Sequence, residues 1–320
     1  MTRYVLGRLV SLVFVVIAVS MITFSLMHAV PGGPFDEGKQ PLPPAAKENI
    51  LRKYGLDQPV WKQYLNYMSM PCASISAFPT SKPTTTVTEL ISRTWGVTAQ
   101  VGIVTILFAF TVGLTLGVVA GYNQNSWIDT IVTFLATSGF IMPGFVIGML
   151  SILLFSVYLD WMPMGGWGQT GCLVGNYFCQ DWILPVLAYS LAPLAIVARY
   201  TRSSVIEYLN ADFVRTARAK GLNGRAIMIR HVMRNALIPM VTVMGPIIPD
   251  LMTGSIFIES IFRIPGLGKY FVTSTFNRDY PMVMATVLLI AVLWGLIYLF
   301  TDLLYTWIDP RVRLGAKEGQ

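Results

Sequence analysis

Two histidines, three cysteines and sixteen carboxylates are the residues of this 320-residue chain that could carry acid–base, covalent or metal chemistry. Their spacing provides for little of it. His28 and His231 fall in segments expected on opposite sides of a membrane, no HExxH pair occurs, and Cys72, Cys172 and Cys179 lack metal-site spacing. The stretch PGLGKY, Pro265 to Tyr270, has neither the glycine spacing of a phosphate loop nor the hydroxyl that holds nucleotide-bound magnesium. No apolar segment pairs a serine with a base, as an intramembrane peptidase requires. The expectation is a chain without catalytic residues, cofactor or metal of its own.

The charged residues can instead dock a partner. Eight of the 23 basic residues lie between Arg199 and Arg234, and the stretch from Glu207 to Pro239 is the longest polar interruption among the later apolar segments. Gly221 breaks a helical run expected over Ala211 to Lys220, and Asn223 can cap a second helix starting near Gly224. Two short helices meeting at a glycine make a compact knob, at a backbone position expected not to accept a Cβ. Such a knob can present side chains to a cytosolic protein. The same arginines could equally hold the loop at anionic headgroups and fix topology.

The elements that position this loop are membrane spans. The chain is 54% hydrophobic and 12% charged, with mean hydropathy +0.60, which excludes a soluble bundle and makes the net charge of +7 a matter of orientation rather than of nucleic-acid binding. Arg3 and Arg8 precede an uncleaved first span from Leu9 to Val30. A small extracytoplasmic domain follows over residues 31–98, with amphipathic helices expected over Ala45 to Tyr54 and Val60 to Met68 and a Ser/Thr/Pro-rich stretch between Pro71 and Thr88. A core domain over 99–310 then carries five more spans and the loop 207–235, and 311–320 is a tail.

Within that core, span two is expected over Val101 to Tyr122, where Gly113, Gly117 and Gly121 share a face suited to close helix packing. Span three, Ile131 to Tyr158, should kink or locally open at Pro143-Gly144, and span four covers Ile183 to Val205. Span five, Ala236 to Phe257, is expected to be interrupted at Gly245-Pro246 and Pro249-Asp250, and span six is Met282 to Thr301. Short-loop charge bias puts both termini and the basic loop inside. The loop from Asp160 to Trp182 has no Lys or Arg and is placed outside, where Cys172 and Cys179, separated by LVGNYF, could close a disulfide around Gly175-Asn176. Two reduced, partly buried thiols are the alternative.

What remains is a pathway without an energy source, and here the residues carry a resemblance. The string Phe213 to Leu222 (FVRTARAKGL), followed by Arg234-Asn235-Ala236 and Pro239, resembles the coupling loop of permease subunits in bacterial peptide ABC importers. Tyr54 to Pro59 with Gln63-Tyr64, Thr201 to Ser204, Ile264 to Gly268, Arg278 to Pro281 and Asp309-Pro310-Arg311 recur in the same order, so the resemblance covers nearly the whole chain. Pro34-Phe35, Leu42-Pro43-Pro44, Gly165-Gly166-Trp167 and Met244-Gly245-Pro246 are closest to the first permease subunit of oligopeptide systems.

The resemblance implies an all-α polytopic ABC importer permease fold with six transmembrane helices. It implies, as partners, a second permease subunit, two ATP-binding cassette subunits that bind ATP and magnesium, an extracytoplasmic substrate-binding protein, an oligopeptide substrate and membrane lipids. Dipeptide, glutathione, nickel or another small solute is the alternative cargo, and a channel or transporter outside this superfamily the more distant one. Arg215, Thr216, Ala217, Arg218, Lys220, Gly221 and Leu222 are the residues expected to couple to the ATPase. Gly245, Pro246, Asp250 and Glu259 are pathway or structural candidates; Asp250 could hold a peptide's amino group or pair with a basic residue of the partner subunit. Two departures stand out: Pro71 to Pro83 replaces the family's short turn in the outer domain, and no Glu-Ala-Ala opens the coupling loop.

Overall fold

Long apolar runs without breakers become helices in the computed structural model, which describes residues 2–29, 58–69, 87–168 and 179–308. The expected helix Ala45 to Tyr54, the stretch Pro71 to Pro83, Cys72, Cys172 and the tail 311–320 lie outside the described residues. All regular structure among the described residues is helical. Among the described residues four helices are long and apolar enough to cross a membrane, or up to six spans if each of two bent pairs is one.

The described residues fall into two compact units, each considered by itself. One holds residues 2–29, 58–69, 87–96 and 266–295. It contains α1 (Thr2–Ala29), α2 (Val60–Ser69), the first turns of α3 (Val87–Tyr122), α11 (Leu267–Phe276) and the first half of α12 (Tyr280–Ile308). Val87, Leu267 and Met282 form its buried centre. The amphipathic α2 is tied to α1 by polar contacts: Ser20 Oγ lies 2.8 Å from the Tyr64 hydroxyl, and His28 Nε2 lies 3.1 Å from Gln63 Oε1. α3 begins well before the expected Val101. VTELISRTWGVTAQ contains no proline, its one glycine is tolerated, and Glu89 and Arg93 pair one turn apart at 2.6 Å, so the helix runs uninterrupted for 36 residues.

The other unit spans residues 97–265 and continues from 296. Its centre is α6 (Ile183–Leu209), entered through a 3₁₀ turn at Gln180–Trp182 and packed against α4 (Trp127–Ile141), α5 (Gly144–Ser151) and α9 (Met233–Thr253). α3 lies along α6 through its glycines. A Cβ on Gly113 would come within 2.8 Å of the Leu194 carbonyl, on Gly117 within 2.5 Å of the Ala198 carbonyl, and on Gly121 within 2.9 Å of Val205. The expected reading of these glycines as a close helix-packing face therefore holds at all three positions.

One sequence expectation about the prolines is met and one is corrected. The helix opens at Pro143-Gly144 as expected: α4 and α5, with the π-helical turn Ile152–Tyr158 that continues it, stand at 103° to one another. Proline pushes the residue before it out of the helical region, and Met142 (ψ 128°) and Pro143 (ψ 133°) are both extended, so two consecutive residues leave the helix. In span five the reverse happens. α9 runs helically through Pro239, Pro246 and Pro249, each costing one backbone bond, and the 65° bend falls between Leu237 and Thr242. The helix ends only at Gly254, whose φ of 87° no helix accommodates, and Ser255 caps α10 (Ile256–Ile261) through the Ile258 amide at 3.4 Å.

Candidate functional site

The basic stretch folds as the sequence leads one to expect, into α7 (Asp212–Ala219) and α8 (Gly224–Ile227), the latter continuing through a π-helical segment, Met228–Val232, into α9. α7 closes by a paired carbonyl capture: the Leu222 amide donates to Ala217 at 3.2 Å and the Gly221 amide to Arg218 at 2.9 Å. Asn223 then accepts from the amides of Arg225 at 2.7 Å and Ala226 at 3.3 Å and starts α8.

Gly221 is required there by its φ of 76°, a region where a Cβ costs energy. The expectation that space forbids a Cβ is corrected, because nothing lies within 4 Å of where it would stand. The glycine is a backbone device on an open surface.

A small apolar core holds the knob in shape. Val214, Ala217, Ile227, Val232 and Ala236 are buried against Val205 of α6, with Val118 of α3 beside them. Full burial of a valine or isoleucine contributes roughly 1.5–3 kcal/mol. The Arg215–Asp212 contact at 3.4 Å, with both side chains largely exposed, adds at most about 1 kcal/mol. Packing therefore sets the shape and leaves the charges available. Arg215, Thr216, Arg218, Lys220, Gly221 and Leu222 all face outward, with exposed Phe213 and Ile229 beside them. Ala217 does not: it is 5% exposed and belongs to the knob's own core.

Sequence reasoning missed the contact that anchors the root of the knob. Arg202 of α6 grips Asp129 of α4 with two hydrogen bonds, Nε to Oδ1 and a second nitrogen to Oδ2 at 2.7 Å. Asp129 also accepts from the Asn125 amide at 3.0 Å and the Thr133 hydroxyl at 3.4 Å, while its own amide donates to Ser126 Oγ at 3.3 Å. The Ser126-x-x-Asp129 pattern is a legible helix start of the capping-box kind. Its link to Arg202, 73 residues on, is not a local signal.

The remaining candidates separate. Glu259 is 1% exposed and accepts from the Thr98 hydroxyl at 2.7 Å, so it lies in the interior of its unit. Gly245 sits against Thr301, whereas Pro246 and Asp250 are exposed on α9. Cys179 is buried and disulfide-bonded beside the stacked rings of Trp167 and Trp182, 4.4 Å apart; Cys172 lies outside the described residues.

Comparison with known proteins bears on what this knob-bearing membrane protein is. Residues 113–314 match the family described as binding-protein-dependent transport system inner membrane component, and residues 1–83 match its N-terminal region. The chain is 37% identical to the oligopeptide transport system permease protein OppB of Salmonella typhimurium, over 98% of this chain and all of that protein. It is 36% identical to the dipeptide transport system permease protein DppB of Bacillus subtilis (99% and 100% covered) and 38% identical to that of Lactococcus lactis (98% and 100%). Among solved structures it resembles the inward-facing MetNI methionine ABC transporter with a TM-score of 0.56 at 16% identity, over 69% of this chain and 96% of that one, a likeness of fold.

Proposed function

Since the chain belongs to the family of inner-membrane components of binding-protein-dependent transport systems, we propose that it is one of two permease subunits forming the pathway for ATP-driven import of oligopeptides. The observation that carries this reading is the full-length match, at 36% to 38% identity, to permeases of oligopeptide and dipeptide systems. A second permease subunit completes the pathway, a substrate-binding protein delivers the peptide outside, and two cytosolic ATPases bind ATP and magnesium.

The knob is the contact through which ATPase motion reaches the spans. Arg215, Arg218 and Lys220 supply charge, Phe213 and Leu222 an apolar anchor, and Ala217 the internal packing that keeps α7 from yielding under load. Motion received there passes directly into α6 and α9, because Val205 and Ala236 share the knob's core. Both termini lie in the cytoplasm. On the opposite side Cys179 pairs with Cys172 to stiffen the outer loop; a cross-linked peptide in a non-reduced digest is expected, and alkylation of both cysteines without reduction would remove this pairing.

Uptake of defined di- to pentapeptides by a strain lacking this subunit tests the cargo. Restored uptake of tri- to pentapeptides on complementation is expected. Complementation that restores nickel or glutathione uptake but no peptide uptake overturns the reading.

A further inference from the structure

α9 is covered on three sides within its unit. Against α3, a Cβ on Gly102 would come within 2.5 Å of the Leu251 carbonyl; towards α6, the Thr201 hydroxyl donates to Met240 Sδ at 3.0 Å; towards α12, Gly245 abuts Thr301. The side left open is the line Thr242, Pro246, Asp250, four residues apart and so on one helical face, all exposed. The exposed residues of α1 show what a lipid-facing surface looks like here: mostly apolar, with Leu6, Val10, Val13, Phe14 and Ile17, an occasional serine (Ser11, Ser25) and no carboxylate. Within a segment that qualifies as half of a span, Thr242–Ile261, a carboxylate on the open line is incompatible with such a surface and must meet water or a polar occupant.

The chemistry of this line is one-sided. Pro246 has no N–H, so the Thr242 carbonyl lacks its donor one turn on; Pro249 does the same to the Gly245 carbonyl. The Asp250 carbonyl is engaged by the Tyr189 hydroxyl at 3.4 Å and the Thr253 hydroxyl at 3.0 Å, while its carboxylate makes no ion pair among the described residues. The line therefore carries a negative charge at Asp250 and, two turns earlier, the hydroxyl and the freed carbonyl of Thr242, but no free N–H group. A primary ammonium, with three donors and one positive charge, is its complement.

On the reading of the protein as a peptide permease, we infer that Asp250 is the subsite on which the α-ammonium of a peptide in transit rests. The competing occupant is a fixed cation of the second permease subunit. The two occupants differ in consequence: a fixed pair would leave Asp250 indifferent to the cargo's N-terminus, whereas a resting ammonium makes transport depend on whether that amine is free.

The test uses the complete complex in proteoliposomes, with its binding protein saturated by trialanine or by N-acetyl-trialanine, comparing wild type, Asp250→Asn and Asp250→Glu. Asp250→Asn is expected to slow trialanine transport about tenfold, the loss of one charge-assisted contact, and to change N-acetyl-trialanine transport by less than about twofold. Asp250→Glu should keep the preference for the free amine. An equal fall for both peptides, or failure of both variants to co-purify with the ATPases, indicates a fixed pair with the second subunit and overturns the inference, as does no change for either peptide. A wild-type complex that transports neither peptide, yet hydrolyses ATP in response to another solute, overturns the peptide reading itself and this subsite with it.

Discussion

Gly221 and Gly254 both end helices at a positive φ, 76° and 87°, in opposite surroundings. Around Gly221 there is open space. At Gly254 a Cβ would stand 2.6 Å from both Glu259 Oε1 and Thr98 Cγ2. One glycine is dictated by backbone conformation alone, on an open surface. The other is dictated by conformation and by the buried Thr98–Glu259 hydrogen bond packed over it. A positive φ therefore marks two different devices, a turn on an open surface and a sealed joint inside a unit.

The largest expected effect comes from the sealed joint. Gly254→Val adds backbone strain of roughly 1–3 kcal/mol to displacement of a buried carboxylate, and should leave little subunit in the membrane, measured by quantitative immunoblot of membrane fractions. Wild-type amounts of a Gly254→Val subunit would break the comparison.

Next in size is the anchor at the root of the knob. Arg202→Ala leaves the carboxylate of Asp129, whose side chain is 6% exposed, without its cation; a loss of roughly 3 kcal/mol is expected, read as a lowered Tm of the purified complex. The double variant Arg202→Ala/Asp129→Ala should recover part of it, because the orphaned charge is gone. Equal Tm values for the single and double variants would show that the pair contributes little.

Gly221 should respond more mildly. Gly221→Ala is expected to cost about 1 kcal/mol and Gly221→Asn less, since asparagine tolerates left-handed backbone, while Gly221→Val should stop transport with the subunit still present in the membrane. If Gly221→Asn were as damaging as Gly221→Val in the uptake assay, the turn would not be what matters there. The smallest effect on stability belongs to Arg215→Glu, within about 0.5 kcal/mol because the side chain is a surface one, yet it should abolish retention of the ATPases in a pull-down. Unchanged ATPase retention and normal uptake would withdraw Arg215 from the coupling surface.

The sequence by itself determined whatever depends on a few consecutive residues. The apolar runs specify spans because about twenty such residues match a hydrocarbon core. Asn223 specifies the start of α8 and Gly221 the end of α7 because the groups they satisfy lie within one turn, and the spacing of Gly113, Gly117 and Gly121 puts three gaps on one face of α3. Prolines were legible only as lost donors. Whether Pro143 breaks a span while Pro246 and Pro249 leave theirs helical depends on what packs around each, and an N–H missing from one residue does not record that. Nor could local pattern show that Ala217 turns inward from a string of expected contact residues, that Arg202 reaches Asp129, or that Glu259 is sealed in while Asp250 stands open. Those outcomes were decided by the tertiary structure, because each pairs groups distant in the chain whose approach is fixed by close packing of whole helices rather than by the residues' own preferences.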